Sequence, residues 1–479
     1  MIKEFAVQGT WSFPGCSDDD FCGTLKYAPS SGGFLQVTGL KKHIKKLFNH
    51  VISNKRQQEI ILGKSPYGYI TLVDSFCHGW PQEITSDEMT VELVFHTKTI
   101  LYGDHIYPKA DIKFSRLEIS YTHLDEWASI SGIDLSDAYG GDDGYDCVVR
   151  FKSPKTFDAK IRQFKAAKSF QMSIRPFLLR PNNREANKKA CITQFYRVII
   201  ETPDPVLLTT HEEVLYSLRN FLSLAVREQV FPITIEAQSA TDPFNKIEIF
   251  YQLPHFASNV PDIWPHTMLF TLPDISDHFE ETLSNWFEKA DLLEPVLDLY
   301  FGIRHNPCVY NIHSFLSLVQ GLETYHMRFA NKYKLSGAAS TQLLSVVNKI
   351  SAQPYDKQWN KRRRDMTLLR RILEIMNYFD DIAWAICFEP PVSFSKKVVD
   401  GRNYYTHYDP KRPKHKVTRG LELSIVVRRL DLILEVCLLS ELGFGRDEIT
   451  KRFREKNKLL LYALASGVFP SPETPFSRL

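Results

Sequence analysis

The sequence predicts an α+β multidomain protein: a β-rich N-terminal domain followed by an all-α helical bundle. Three observations predict it. A chain of 479 residues is too long for one ordinary core. Its first ~250 residues alternate apolar and polar positions between turn signals, the pattern of half-buried strands. After Pro273 the apolar spacing changes to three and four, the period of a helix. The change places a domain boundary within residues 273–293, and we divide the chain into residues 1–280 and 281–479.

The elements follow in order. Gly23-Thr24-Leu25-Lys26-Tyr27 and Phe34-Leu35-Gln36-Val37-Thr38 flank the turn Pro29-Ser30-Ser31-Gly32-Gly33 and predict a hairpin. Strands are expected at 69–73, 91–95, 113–119, 147–151 and 195–200. One helix interrupts them: Thr210 and Glu213 have capping-box spacing, and Val214, Leu215, Leu218, Leu222 and Ala225 form the stripe behind it. Two short strands are expected at 233–235 and 247–250. Beyond them, Phe315, Leu318, Val319, Leu322, Tyr325, His326 and Phe329 share one helical face. Met366, Leu369, Ile372, Leu373, Met376, Phe379 and Ile382 predict a second helix. Leu423, Val426, Val427, Leu430, Leu434 and Leu438 predict a third, which stops at Gly443. Between the last two lies a helix bounded by Pro390-Pro391 and Pro410.

Composition narrows the class. With 43% hydrophobic and 24% charged residues and no low-complexity tract, the chain reads as soluble and globular. No apolar run approaches the ~18 residues of a membrane span. Met1-Ile2-Lys3-Glu4-Phe5 does not begin a signal peptide, so a cytoplasmic location is expected. The eight cysteines include no Cys-x-x-Cys pair, which argues for buried thiols over a zinc ribbon or a thioredoxin-like site. The net charge of +3 hides an asymmetry. Residues 291–479 carry 29 Lys and Arg against 20 Asp and Glu, whereas the preceding 290 carry 30 against 36. A basic C-terminal part suits a polyanionic partner.

The most informative stretch is Arg402-Asn403-Tyr404-Tyr405-Thr406-His407. An arginine and a histidine in one short segment can hold a phosphate and move a proton near neutral pH. On a regular helix, residues five apart are rotated by ~140°, so Arg402 and His407 do not share a face, whereas Asn403 and His407 do. Convergence of all three needs a bend near Gly401, a long reach by the arginine, or a second protomer.

This Arg-x4-His spacing resembles the signature of HEPN domains, many of which are metal-independent ribonucleases. The segment from Lys396 to Tyr408, with the helix around Gly321-Leu322-Glu323-Thr324-Tyr325-His326, is similar to the C-terminal HEPN domain of ApeA-type anti-phage defence proteins. The 23–39 hairpin, the 69–73 strand, the Leu124 to Trp127 region and the domain order resemble the β-rich N-terminal domain of the same proteins. The resemblance implies a homodimeric endoribonuclease acting in abortive infection, a toxin to its own cell. Two motifs would face each other in one composite site, with Arg402, Asn403 and His407 catalytic and no metal or other cofactor. It also implies an RNA substrate, host tRNA among the candidates, and an N-terminal sensor or regulatory domain answering to a phage-derived trigger. The alternative is a HEPN module that binds RNA or protein without catalysis.

Around that centre, Glu323 and His326 are candidates for bordering the site, with Glu323 orienting Arg402 through a salt bridge. Tyr404, Tyr405 and Tyr408 are candidates for stacking on bases or for packing inside the bundle. Two basic stretches, Lys361-Arg362-Arg363-Arg364 and Lys411-Arg412-Pro413-Lys414-His415-Lys416, are candidate phosphate contacts for RNA. Other patterns fail. Gly63-Lys64-Ser65 ends like a phosphate-binding loop, but Gln58 stands where the first glycine belongs and Pro66 blocks the helix. Asp134, Asp137, Asp142, Asp143 and Asp146 lack EF-hand spacing and read as a solvated loop. Cys77-His78 and His305 with Cys308 lack further spaced ligands for zinc.

Overall fold

A computed structural model describes residues 4–16, 20–78, 90–140, 144–165, 169–179, 191–238, 245–253, 256, 260–306, 309–333, 359–408 and 417–456. The chain forms two compact units. The first comprises Met1–Val226, Val230–Ile263 and Phe270–Glu280; the second comprises Arg227–Gln229, Trp264–Leu269 and Glu281–Leu479.

The first unit is β-rich. Its first six strands are β1 (Phe5–Ser12), β2 (Phe21–Ala28), β3 (Gly32–Leu40), β4 (Gln57–Ser65), β5 (Gly68–Cys77) and β6 (Thr90–Tyr102). They pair in the order β6-β3-β2-β1-β4-β5, and β5 returns to β6, so the six close into an antiparallel barrel. The expected hairpin is β2–β3, with Leu25 opposite Leu35. Trp11, Leu25, Leu35, Ile61, Leu72 and Phe95 fill the interior, covered by helix α1 (Lys41–Ser53) through Ile44, Leu47 and Val51. Gly63 is required here, because a Cβ at this position would fall 2.2 Å from the Trp11 ring. Gly63-Lys64-Ser65 thus ends a barrel strand rather than cradling a phosphate.

Strand β6 also opens the barrel into a longer sheet. Its C-terminal half pairs with β14 (Lys246–Tyr251). From there the order runs β13 (Pro232–Gln238), β7 (Lys113–Tyr121), β12 (Thr193–Leu207), β11 (Phe170–Leu179) and β10 (Phe157–Ile161). At the outer edge, the backbone N–H of Lys160 on β10 donates to Glu280 Oε1 at 3.3 Å. Helix α3 (Leu208–Val226) is tied to this sheet by His211 Nε2, 2.8 Å from the Phe114 carbonyl. It begins before the expected cap at Thr210 and buries Val214, Leu218, Phe221 and Leu222. Short helix α2 (Leu124–Ala128) sets Trp127 edge-on to Phe221. The acidic loop expected near Asp134 is largely a hairpin of β8 (Ile133–Gly140) and β9 (Gly144–Phe151); Asp142 and Asp143 lie outside the described residues.

The second unit is helical. After α4 (Phe279–Glu288) come α5 (Ala290–Arg304), α6 (Asn311–Arg328), α7 (Trp359–Tyr378), α8 (Asp380–Cys387), α9 (Pro391–His407), α10 (Gly420–Leu442) and α11 (Arg446–Lys456). The single helix expected from Met366 to Ile382 is two. Phe379 leaves helical geometry, and Asp380 and Asp381 open α8, where the helix dipole favours acids. Gly443, at φ 103°, ends α10 as a left-handed cap. Deep in the unit, Glu435 of α10 is fully buried and accepts from Arg227, Arg304 and Tyr300, while Arg304 and Arg428 also reach Asp431. Burial works to raise the Glu435 carboxyl, but the charges of Arg227, Arg304 and Arg428 outweigh it and hold the group at about 2. Among the described residues, no helix is long and apolar enough to cross a membrane.

Candidate active site on helix α9

Pro391 starts α9, a position where the missing N–H costs nothing. Phe394, Val398, Gly401 and Tyr405 recur at spacings of three and four and turn inward. Gly401 faces Phe315 of α6, whose ring lies 3.0 Å from where a Cβ would sit. Tyr405 meets the same ring edge-on at 5.9 Å. Ser395 Oγ lies 3.5 Å from Met376 Sδ of α7. These contacts fix the rotation of α9 and therefore the direction of its remaining side chains.

The helix runs through Gly401 to His407 without interruption, and Tyr408 closes it in the left-handed region at φ 45°. Arg402 is half-buried and donates to Asn403 Oδ1 at 3.3 Å, and Asn403 is itself buried. His407 is exposed in the last turn. The single chain thus brings Arg402 and Asn403 together and leaves His407 exposed. Among the described residues, no group of three or more His, Cys, Asp or Glu side chains is arranged to hold a metal ion.

The tyrosines divide. Tyr404 and Tyr405 are buried, and Tyr408 is 57% exposed. Tyr405 donates to the Thr418 carbonyl at 2.6 Å, and burial pushes its phenol pKa up. Arg419 donates to the Tyr404 hydroxyl at 2.6 Å and lies 5.2 Å from its ring centre. Tyr404 therefore packs within the bundle against Arg419, and Tyr408 is the ring presented to solvent. Sequence reasoning missed Arg419 and Thr418, whose connection to the tyrosines exists only once the chain has turned back from α9.

The expected pairing of Glu323 with Arg402 is replaced by another. Glu323 accepts from Arg371 of α7 at 2.7 Å. The reason is axial position. Phe315, not Glu323, lies level with Gly401, and eight further residues at ~1.5 Å each carry Glu323 roughly 12 Å along α6. His326 lies further on, with Nε2 2.7 Å from Glu374, which also accepts from Arg370. Burial, with Arg371 and Arg370 beside it, lowers the His326 pKa against the pull of Glu374. Glu323 and His326 thus brace α6 against α7. Lys361, Arg362, Arg363 and Arg364 fall on the first two turns of α7, with side chains outside the described residues. Lys411, Arg412, Lys414 and Lys416 lie wholly outside them.

Two family models match the chain: ApeA N-terminal domain 1 over residues 6–286 and Apea-like HEPN over residues 316–448. The second match spans α9 and its motif. No curated protein and no solved structure matches. HEPN domains are generally ribonucleases, so the match indicates an RNA-related role of the nuclease kind. With the N-terminal model alone spanning more than half of the 479 residues, the chain belongs to the ApeA family.

Proposed function

We infer that the protein is a metal-independent HEPN endoribonuclease that acts in anti-phage abortive infection as a cytoplasmic homodimer. The observation that carries this reading is the arrangement on α9, where Arg402 and Asn403 touch while His407 stands exposed at the end of the same helix. A two-fold axis bringing two such helices together would set the Arg402–Asn403 pair of one protomer beside the outward imidazole of the other. In that composite site His407 takes the proton of an RNA 2′-hydroxyl, whose oxygen attacks the adjacent phosphorus. Arg402 stabilises the charge on the phosphate oxygens, and Asn403 orients Arg402. The 5′-oxygen of the next nucleotide leaves and takes up a proton, giving a 2′,3′-cyclic phosphate and a 5′-hydroxyl. The N-terminal unit serves as the sensor or regulatory part that answers to a phage-derived trigger.

The test is expression in bacteria under phage challenge, wild type beside His407→Ala, followed by cleavage of RNA in excess EDTA. Wild type should protect and leave cyclic or 3′-phosphate ends, and His407→Ala should lose about 10²–10⁴-fold in cleavage rate. Wild-type protein that binds RNA but leaves it whole would favour the non-catalytic module. Products with 5′-phosphates formed only with magnesium would point to another site.

A further inference from the structure

The first unit contains a cavity of about 340 Å³ between α3 and the long sheet. Glu212, Tyr216 and Arg219, spaced at four and three, present one face of α3 to it. Lys98 of β6, Tyr121 of β7 and Tyr251 of β14 line the opposite side. The volume lies at the small end of the roughly 300–1,000 Å³ of ligand sites, room for one small molecule.

The cavity's one carboxylate, Glu212, faces a lysine, and two donors beside it stand unmet. Lys98 lies 3.9 Å from Glu212, and Arg219 adds a second cation, stacked 5.0 Å from the centre of the half-exposed Tyr216 ring. Among the described residues, Arg219 Nε and the hydroxyl of the 3%-exposed Tyr121 are buried without a hydrogen-bond partner. Buried donors left unmet are costly, and an anion entering the cavity would satisfy both. Burial pushes the Tyr121 and Tyr251 phenols up, which keeps them protonated, and pushes the Glu212 carboxyl up against the pull of Lys98. The two cations and the unmet donors bias the cavity towards a negative guest, and three tyrosine rings bias it towards a flat one.

We propose that this cavity binds a small planar anion, an aromatic ring bearing one phosphate or carboxylate, with its charge on Arg219 and its ring among Tyr216 and Tyr251. Nucleoside monophosphates and aromatic carboxylates share that chemistry. The site is separate from the Arg402 motif and does not depend on the nuclease reading.

Calorimetric titration of the full chain tests it. One arm uses the four ribonucleoside 5′-monophosphates and another uses benzoate and 4-hydroxybenzoate. Uncharged nucleosides and inorganic phosphate are the controls. We expect saturable binding in one of the first two arms, which identifies the anion type. Binding should weaken about tenfold or more in Arg219→Gln and in Tyr216→Ala. Tyr216 is half-exposed, so its variant reads the site even if Arg219→Gln misfolds. No saturation in either arm at about 1 mM ligand would overturn the proposal. Inorganic phosphate matching the best ligand, or wild-type affinity in Tyr216→Ala, would do the same.

Discussion

Arg402 and Asn403 touch through one guanidinium nitrogen and a side-chain amide oxygen, which leaves the rest of the planar fork for phosphate oxygens. Arg402→Lys keeps the charge and loses the fork, and it should slow single-turnover RNA cleavage by about 10²-fold. Unchanged cleavage at equal folding would remove Arg402 from the mechanism. A second residue-scale prediction concerns Glu435. Its folded pKa lies below the ordinary carboxyl value of 4.5, so between 4.5 and about 2 the folded chain binds fewer protons than the unfolded one. The stabilisation is therefore complete above 4.5 and is lost as pH falls through about 2. Glu435→Gln should cost ~3–5 kcal/mol at pH 7, because it strands buried arginine charge, and urea titrations should show the gap from wild type closing towards pH 2. At this scale the sequence exposed Arg402, Asn403 and His407, since they stand within one short segment of one helix. It did not expose the partner of Glu323, because Arg371 lies 48 residues away and which helices become neighbours is settled only by packing.

Two glycines separate packing from backbone freedom among the elements. Gly63→Ala would drive a methyl into the Trp11 ring inside the barrel and should destabilise by about 1–3 kcal/mol. Gly302 is exposed on α5, with nothing within 4 Å of where a Cβ would sit, so Gly302→Ala should stabilise by about 0.5–1 kcal/mol. Urea denaturation should move the two midpoints in opposite directions, and a shared direction would contradict the packing account. Strand and helix periods were legible wherever one face is buried, as in β2–β3 and α6. They misled at Phe379, because the stripe through Leu373, Met376 and Ile382 continues across the break between α7 and α8. Strands β1 and β4 went unread because their alternation is broken, by Gly9 in β1 and by the apolar run Ile60-Ile61-Leu62 in β4.

For the whole molecule, the composite-site reading predicts a light-scattering mass about twice the 55.4 kDa of one chain. Co-expressed Arg402→Ala and His407→Ala chains should recover part of the cleavage that each lacks alone, because a mixed dimer restores one arginine and one histidine to a shared centre. A monomer with full activity would contradict the two-fold arrangement. The division into a β-rich and a helical part was legible from the change of period after Pro273, while the closure of the barrel was not, since no local pattern announces that β5 returns to β6. The other end of that twelve-strand sheet has a consequence of its own. A bare strand edge is a template on which a neighbouring molecule can add a strand. Here one end is consumed by closure, and at the other the five-residue β10 has an amide capped by Glu280. The array is blunted at both ends, which hinders edge-to-edge growth into fibrous aggregates where chains accumulate at high local concentration.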